Sequence, residues 1–264
     1  MIRLARISAL MASMLLTFFC VAGRTSLRTD SIRMEPLPVY DSSHPAKIIR
    51  FTPVVSIGGM STINNYKSVI PGLTDIQTAP GMLMRAGIHA DFFIHRSLSI
   101  TTGLEGSVNN SRVSIGIINS ASGTASALYL NKHFYEAIVP VSVNFRFNMG
   151  WRLKSMFGIG IYMAKGIGGT VKASGYTSGI NSIGQPVVDH LYYTKDYYSE
   201  SMPVINSVRD FDFGPRISAG FLYRNRVSIN LVFQTSARNL AVNHNVLDIR
   251  YRHINLAWEV GYCF

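Results

Sequence analysis

The chain has few cysteines, few charged residues and no long apolar run after its amino terminus. Only Cys20 and Cys263 occur among 264 residues, and 15% of the residues are charged while 47% are hydrophobic. Two cysteines near opposite ends exclude a framework of internal disulfides. After residue 22, no stretch approaches the roughly 20 apolar residues that a membrane-spanning helix needs. A membrane protein without such helices must be a closed barrel, because lipid cannot satisfy an open sheet edge.

The first 23 residues are predicted to be a secretory signal peptide. Arg3 and Arg6 precede an apolar run over residues 7–22 that ends in small residues, as export signals do. The run is too short for a transmembrane anchor. Lipid attachment at Cys20 is disfavoured, because Phe19 stands where lipoprotein signals have a small residue. Cleavage would leave a single cysteine in the mature chain.

Residues 24–46 are predicted to form a flexible periplasmic lead-in, and residues 47–264 the folded domain. The lead-in contains Pro36, Pro38 and Pro45 among polar residues and shows no sustained periodicity. The formal charge of the whole chain is +11, and the loss of Arg3 and Arg6 lowers it by two to +9. Such basicity can indicate nucleic acid. An exported protein is instead expected to meet outer-membrane lipid, anionic lipopolysaccharide or a surface ligand.

A pattern of period two recurs eight times, as expected for strands with one apolar and one polar face. Most of these segments reach the roughly 9–11 residues of a tilted membrane strand. The eight predicted strands are Ile48–Met60, Gly81–Phe93, Leu98–Val108, Tyr135–Phe147, Leu153–Met163, Phe213–Tyr223, Val227–Gln234 and Ile254–Phe264.

The connections between these strands alternate between short and long. Three residues follow the second, fourth and sixth strands, whereas the other links cover about residues 61–80, 109–134, 164–212 and 235–248. Outer-membrane barrels have short periplasmic turns and long external loops. The sequence therefore predicts an all-β fold, an eight-stranded antiparallel up-and-down transmembrane β-barrel. A soluble eight-stranded barrel has the same period with its faces exchanged, and the charged residues opposite aliphatic stripes favour lipid outside.

The polar faces of the predicted strands carry four acidic and six basic or histidine side chains. An eight-stranded barrel is barely wide enough for its own interior side chains. We therefore expect these residues to form paired charges and not to line a channel, since an unpaired buried charge is very costly. They are Arg50, Arg85, His89, Asp91, Glu105, Glu136, Arg146, Lys154, Arg216 and Glu259.

The last strand ends on aromatic residues of one face, with Trp258, Tyr262 and Phe264 all predicted to meet lipid. Outer-membrane barrels commonly end in this way. We interpret these three side chains as a membrane-insertion signal that the barrel-insertion machinery reads.

The connection over residues 164–212 is the candidate partner-binding loop. Tyrosine buries much area with little loss of entropy, so tyrosine-rich loops on a rigid scaffold suit recognition of a protein or glycan. An interfacial aromatic girdle or an unstructured loop are the alternatives. The tyrosines concerned are Tyr176, Tyr192, Tyr193, Tyr197 and Tyr198.

No catalytic, cofactor or metal site is predicted. The glycine-rich segment 166–169 lacks the lysine and the βαβ context of a phosphate loop, and no His, Cys or acidic residues have a recognised metal spacing. Several loop residues could form a lipid-modifying site only if the fold brought them together. These are His133, His190, His244, Ser182, Ser199, Asp189 and Asp196.

Three segments resemble the PorT-like outer-membrane β-barrel family of Bacteroidetes: residues 135–141 (YEAIVPV), 157–162 (FGIGIY) and 212–214 (DFG). The resemblance covers about residues 48–264. It implies an outer-membrane barrel of a Gram-negative bacterium, and likeness to PorT itself would imply a part in protein secretion. We therefore expect a non-enzymatic scaffold for binding or for envelope and secretion assembly, without nucleic acid. The alternative is a small barrel enzyme acting on lipids, such as a lipid A deacylase or acyltransferase.

Overall fold

The computed structural model describes residues 49–66, 73–95, 97–119, 123–150, 152–180, 183–198, 208–242 and 249–264. The predicted signal peptide and lead-in lie outside them. No helix in the described ranges is long and apolar enough to cross a membrane. The elements of these ranges are ten strands: β1 (Ile49–Tyr66), β2 (Leu73–Ala79), β3 (Gly81–His95), β4 (Leu98–Asn119), β5 (Thr124–Asn148), β6 (Leu153–Ile180), β7 (Pro186–Asp196), β8 (Phe211–Tyr223), β9 (Val227–Thr235) and β10 (Ile249–Tyr262).

Eight of the strands form a closed antiparallel ring. Following hydrogen-bonded neighbours, the ring runs β1, β3, β4, β5, β6, β8, β9, β10 and back to β1. The closing pair is long, with a continuous register from Val54 opposite Gly261 to Tyr66 opposite Ile249. The prediction of an eight-stranded up-and-down barrel is therefore confirmed, and each predicted barrel strand lies within or largely overlaps one strand of the ring.

The side chains of the ring have the opposite arrangement to a soluble barrel. Ile57 and Trp258 are cross-strand neighbours on the exterior and both are exposed, while the adjacent pair Ser56 and Glu259 is buried inside. The same alternation of apolar exterior and polar interior recurs on β3, β8 and β9. A closed antiparallel barrel that exposes its apolar face and buries its charges is built for lipid. The chain is an outer-membrane β-barrel.

One end of the barrel has short turns and carries the start of β1 at Ile49 and the carboxy-terminal Phe264. At the turn between β8 and β9, Arg224 and Asn225 adopt left-handed backbone conformations, with φ of 48° and 57°. Two such residues in succession match the right-handed twist of a hairpin. By the general rule for these barrels, the short turns are periplasmic, so the opposite end lies outside the cell.

The predicted external loops are largely wrong, because the strands continue beyond the membrane. β4 and β5 reach residues 119 and 124 and leave only a short connection, where a loop over 109–134 was predicted. β6 continues to Ile180, and β7 pairs with it, so the predicted loop over 164–212 contains a hairpin. β2 lies within the predicted loop 61–80 and pairs with β4.

These extensions form an open five-stranded sheet outside the barrel, which we call the outer sheet. It consists of β2, β7 and the adjoining parts of β4, β5 and β6, in the order β2, β4, β5, β6, β7. Its polarity is the reverse of the membrane part. Val113, Leu130 and Val171 are buried on its inner face, whereas Arg112 and Lys172 are exposed outside. The lipid-type alternation stops here, and for this reason the sequence pattern does not predict these parts of the strands.

A β-bulge on β6 separates the two regions. Tyr135 pairs with Gly168 and Glu136 with Gly166, so Ile167 is an extra residue. An extra residue reverses the facing of everything that follows it. Tyr162 and Ala164 accordingly point inward before the bulge, and Val171 and Ala173 after it.

Candidate functional site

The middle of the barrel is filled by a charged network around Arg216. Its guanidinium donates to Glu105 Oε1 at 2.7 Å and to Glu259 Oε2 at 2.8 Å. His89 Nε2 lies 2.8 Å from the same Glu105 oxygen, and Arg85 lies 3.9 Å from the other. All five side chains are buried. The prediction that the inward charges pair with one another is confirmed for these five residues. Glu136 departs from it, because among the described residues this carboxylate has no ion pair and accepts hydrogen bonds from Ser107 and Asn109.

A second network lies nearer the periplasmic end and is centred on Asp91. Arg50 and Arg146 donate to Asp91 Oδ2 at 2.7 and 3.1 Å, and the hydroxyl of Thr101 donates to the other oxygen. Both guanidinium groups also lie over the ring of Phe93. The cavity between the two networks encloses about 40 Å³, room for about three water molecules at the volume one water requires.

His89, Glu105 and Glu259 have ligand atoms within 4.8 Å of one another, close enough to surround a metal ion. However, Arg216 already donates to both carboxylates. A divalent cation would have to displace a guanidinium whose charge these acids balance. The arrangement is explained by ion pairing, and it does not favour a metal.

The extracellular mouth is closed by a hydrophobic plug, defined here by Phe134, Tyr197, Val208, Leu240 and Tyr251. Tyr197 is 0% exposed and stacks on Phe134, with ring centroids 4.3 Å apart and planes 5° apart. The hydroxyl of Tyr197 is 2.9 Å from that of Tyr251. An isolated bridge between Val208 and Ala241 joins the two incoming segments. Chain segments that follow β7 and β9 thus fold into the mouth.

A His, a Ser and an acid meet beside this plug. The hydroxyls of Tyr162 and Ser236 both donate to Asp212 Oδ2 at 2.8 Å, and His253 Nδ1 is 3.9 Å from the same oxygen. His253 Nε2 is hydrogen-bonded to Tyr197, 3.3 Å away. The serine is therefore bonded to the carboxylate and not to the imidazole. All these residues are buried, so the group joins β6, β8 and β10 beneath the plug.

The residues that sequence reasoning considered for catalysis do not form such a group. His133 is hydrogen-bonded to Tyr135 and His190 stacks against Tyr192. In the described ranges, neither histidine forms a hydrogen bond to a serine or an ion pair with a carboxylate. Asp196 accepts from the backbone N–H of Tyr198. Ser182, Ser199 and His244 lie outside the described residues.

The five candidate tyrosines have different environments. Tyr192 is 74% exposed and Tyr176 is also exposed, both on the outer sheet. Tyr197 is part of the plug and Tyr198 packs against Phe134 and Tyr197, whereas Tyr193 packs against the wider buried cluster of the outer mouth. The ring of Tyr198 also occupies the space that a side chain at Gly166 would need. Of the five, only Tyr176 and Tyr192 have the exposed position that contact with a partner requires.

Trp258, Tyr262 and Phe264 all lie on the exterior of β10 or directly after it. Tyr262 and Phe264 are at the periplasmic end, where their rings pack edge to face with centroids 5.1 Å apart. Trp258 lies opposite Ile57 and Leu231, deeper within the apolar belt. Their role in insertion stays a prediction.

Sequence reasoning missed three buried polar residues at the outer mouth: Lys132, Asp212 and His253. Lys132 lies over the ring of Tyr251, 4.6 Å from its centroid. On β5, Glu136, Phe134 and Lys132 are alternate residues that face the interior. Extending the predicted strand toward its amino-terminal end would therefore have included Lys132. The signal was hidden because the predicted strand stopped at Tyr135.

No known family model matches the chain, and a comparison with curated proteins found no match. Among solved structures, it is similar to Ail, the attachment invasion locus protein of Yersinia pestis, in complex with the heparin analogue sucrose octasulfate. The identity is 12%, the match covers 81% of this chain and 99% of Ail, and the TM-score is 0.33.

Two further similar structures are Neisserial surface protein A and the outer membrane protease OmpT of Escherichia coli. For the former, the identity is 13%, the coverage 81% of this chain and 97% of the other, and the TM-score 0.31. For OmpT, the identity is 9%, the coverage 84% and 99%, and the TM-score 0.28. Because these TM-scores are low, the fold assignment rests on the strand pairing of this chain.

Proposed function

We propose that this protein is a non-enzymatic outer-membrane scaffold that binds a protein or glycan outside the cell through its outer sheet. The observation that carries the proposal is the contrast between the two halves of the molecule. The barrel is filled by ion pairs and closed by the plug, while one side of its wall continues beyond the membrane as an open sheet. A sealed barrel with a projecting sheet suits presentation of a binding surface and not transport.

The β6–β7 hairpin is the most prominent part of this surface. Ile180, Ile183 and Val188 are exposed at its tip, and Ile183 is 80% exposed. In the described ranges, β7 pairs only with β6, over eleven continuous residue pairs without a bulge. A long edge without a bulge is a ready template for another strand. An extended segment of a partner protein can add to such an edge, with side-chain contacts at the apolar tip.

The test replaces residues 177–189 by Asn-Gly, which joins the paired residues Tyr176 and His190 through a two-residue turn. The plug and the barrel are retained, so the folded protein is expected to reach the membrane at normal levels. The envelope phenotype of the full gene deletion should nevertheless appear, and proteins that copurify with the wild type should be lost. A replacement that restores the deletion strain fully would contradict the proposal.

A matched variant distinguishes the effect of losing the apolar tip side chains from the effect of shortening the hairpin. Changing Ile180, Ile183 and Val188 together to Ser keeps the strands and removes the apolar contacts. We expect it to reproduce the loss of copurifying partners, whereas Ser substitutions at the periplasmic turn residues Arg224 and Arg226 should not.

The resemblance to the PorT-like family supports a narrower form of the proposal, in which the partner belongs to a secretion assembly. Secreted proteins of a deletion strain would then accumulate in the periplasm. Normal secretion, together with loss of an adhesion or envelope phenotype, would leave the binding role and reject the secretory one. The lipid-modifying alternative is tested by the acylation pattern of lipid A in the same strain, which we expect to be unchanged.

A further inference from the structure

The outward face of the outer sheet carries two adjacent rows of side chains that differ in chemistry. In the first row, Arg112, Asn131, Lys172 and Thr194 are successive cross-strand neighbours on β4, β5, β6 and β7. In the second, Ser114, Tyr129, Ser174 and Tyr192 follow the same order. Neighbouring strands are about 4.8 Å apart, so the two cations, and likewise the two tyrosines, are separated by roughly 10 Å.

Within the described ranges, no acidic side chain pairs with the cations of the first row. Arg112 and Lys172 are exposed, and neither forms an ion pair within the described part of the chain. Asn131 between them is also exposed. Two exposed cations that have no acidic partner among the described residues, on a basic chain, favour an anionic ligand.

A groove lies across the two rows on the side of β6 and β7. It has a volume of about 400 Å³ and is lined by Asn131, Lys172, Ser174, Tyr192 and Thr194 among others. Ser174, which lines the groove, is smaller than its cross-strand neighbours Tyr129 and Tyr192, and Tyr192 lines the groove as well. Aromatic faces, hydroxyls and an amide beside cations match a saccharide that carries negative groups, since sugar rings pack on aromatic faces and sugar hydroxyls exchange hydrogen bonds.

This face continues the lipid-facing surface directly. On β5, Ala137, Val139 and Val141 face lipid, and Tyr135, His133, Asn131 and Tyr129 follow on the same face of the strand. Asn131 is four residues beyond Tyr135, about 13 Å along a strand. The two rows therefore stand where the headgroups of the surrounding outer-leaflet lipids lie.

We propose that this face binds the phosphorylated saccharide headgroup of lipopolysaccharide. Arg112 and Lys172 contact phosphate groups, Tyr192 packs on a sugar ring in the groove, and Tyr129 packs on a sugar ring beside the groove. The ligand is the membrane glycolipid and not a soluble glycan, because the face is continuous with the surface that its acyl chains already cover. This inference goes beyond the proposed recognition at the β6–β7 tip and does not depend on it.

The experiment measures binding of rough lipopolysaccharide to the full-length folded barrel, immobilised from detergent, by surface plasmon resonance. The same lipopolysaccharide after phosphatase treatment is the second ligand. Three variants are compared with the wild type: R112Q/K172Q, Y129S/Y192S and the control R224Q/R226Q. The control removes two exposed arginines from the periplasmic turn. All changes are at exposed positions, and retention of the heat-modifiable folded form on gels confirms that each variant is folded.

We expect R112Q/K172Q to weaken binding of phosphorylated lipopolysaccharide about tenfold. Loss of a hydrogen bond to a charged group lowers affinity by about this factor. The affinity of this variant for the dephosphorylated form should equal that of the wild type. Y129S/Y192S should weaken binding of both forms, and R224Q/R226Q neither. Unchanged binding by R112Q/K172Q, or an equal loss in the control, would overturn the proposal.

A soluble phosphorylated core oligosaccharide without acyl chains distinguishes the source of the ligand. If it binds the wild type as tightly as intact lipopolysaccharide, the occupant is a free glycan and the assignment to the membrane lipid is wrong. The variant in which Asn-Gly replaces residues 177–189 retains Lys172, Ser174 and Tyr192. It should bind lipopolysaccharide normally, so failure of this inference and failure of tip recognition are separate results.

Discussion

The backbone N–H of Phe264 donates a hydrogen bond to the carbonyl oxygen of Phe51, with a distance of 3.1 Å. This bond joins the second residue after β10 to the beginning of β1 at the periplasmic rim. Together with the long register between the same strands, it completes the ring at the point where the chain begins and ends its passage through the barrel. Closure thus depends on the segment that also carries the predicted insertion signal.

We predict that Phe264→Asp lowers the amount of protein in the outer membrane, because a charge replaces a lipid-facing aromatic where the barrel closes. The matched control is Cys263→Ser, which changes the neighbouring residue on the buried face. Quantitative immunoblots of membrane fractions measure the effect. Equal levels of both variants would show that the terminal aromatic does not act as a signal.

Ile159→Arg should destabilise the barrel by about 2–4 kcal/mol, the cost of a basic residue on the lipid face near the bilayer midplane. Ile159 and Ile118 are exposed to a similar extent, but Ile118 lies at the end of β4 in the outer sheet. Ile118→Arg should therefore cost far less. Urea unfolding in lipid vesicles compares the two, and equal costs would contradict the placement of the membrane boundary.

Arg216→Met should cost about 3–5 kcal/mol, because it removes the cation that bridges the buried carboxylates of Glu105 and Glu259. Ser218→Ala, two residues along on β8, is the control and should cost little. If Arg216→Met unfolds at the wild-type urea concentration, the charged network is not a source of stability.

The purified barrel should show no steady conductance in planar bilayers. The two ion-pair networks fill the interior, and the plug closes the outer mouth. Recordings over a range of voltages test this expectation. Reproducible single-channel steps with the wild-type protein would contradict the sealed barrel and favour transport.

Tyr197→Ala and Tyr192→Ala should differ sharply although both residues come from one tyrosine-rich segment. Tyr197 is buried against Phe134, so its truncation is expected to cost about 3–5 kcal/mol, as for other large buried aromatics. Tyr192 is exposed, and its truncation should leave stability unchanged. Unfolding in vesicles gives the free energies, and protease sensitivity of the outer mouth gives an independent measure. Similar costs would contradict the plug.

Within the membrane, local sequence was enough to predict the fold. The apolar stripe through Ile57, Ile159 and Trp258 and the charges at Arg216 and Glu259 alternate at the strand period, and the short turns recur in register with them. Lipid outside and ion pairs inside follow, because a narrow barrel cannot leave mixed charges unpaired. This part of the sequence determines strand number, facing and the nature of the interior.

Outside the membrane, the same alternation has the reverse meaning, and only the tertiary structure decided it. Arg112 and Lys172 face outward there, and Val113 and Val171 face inward, because water has replaced lipid as the solvent of the exterior. The inner face becomes a core only where Tyr197, Val208 and Leu240 fold into the mouth from distant segments. Period two shows that a strand has two faces. Which face is buried depends on what the rest of the chain places against it.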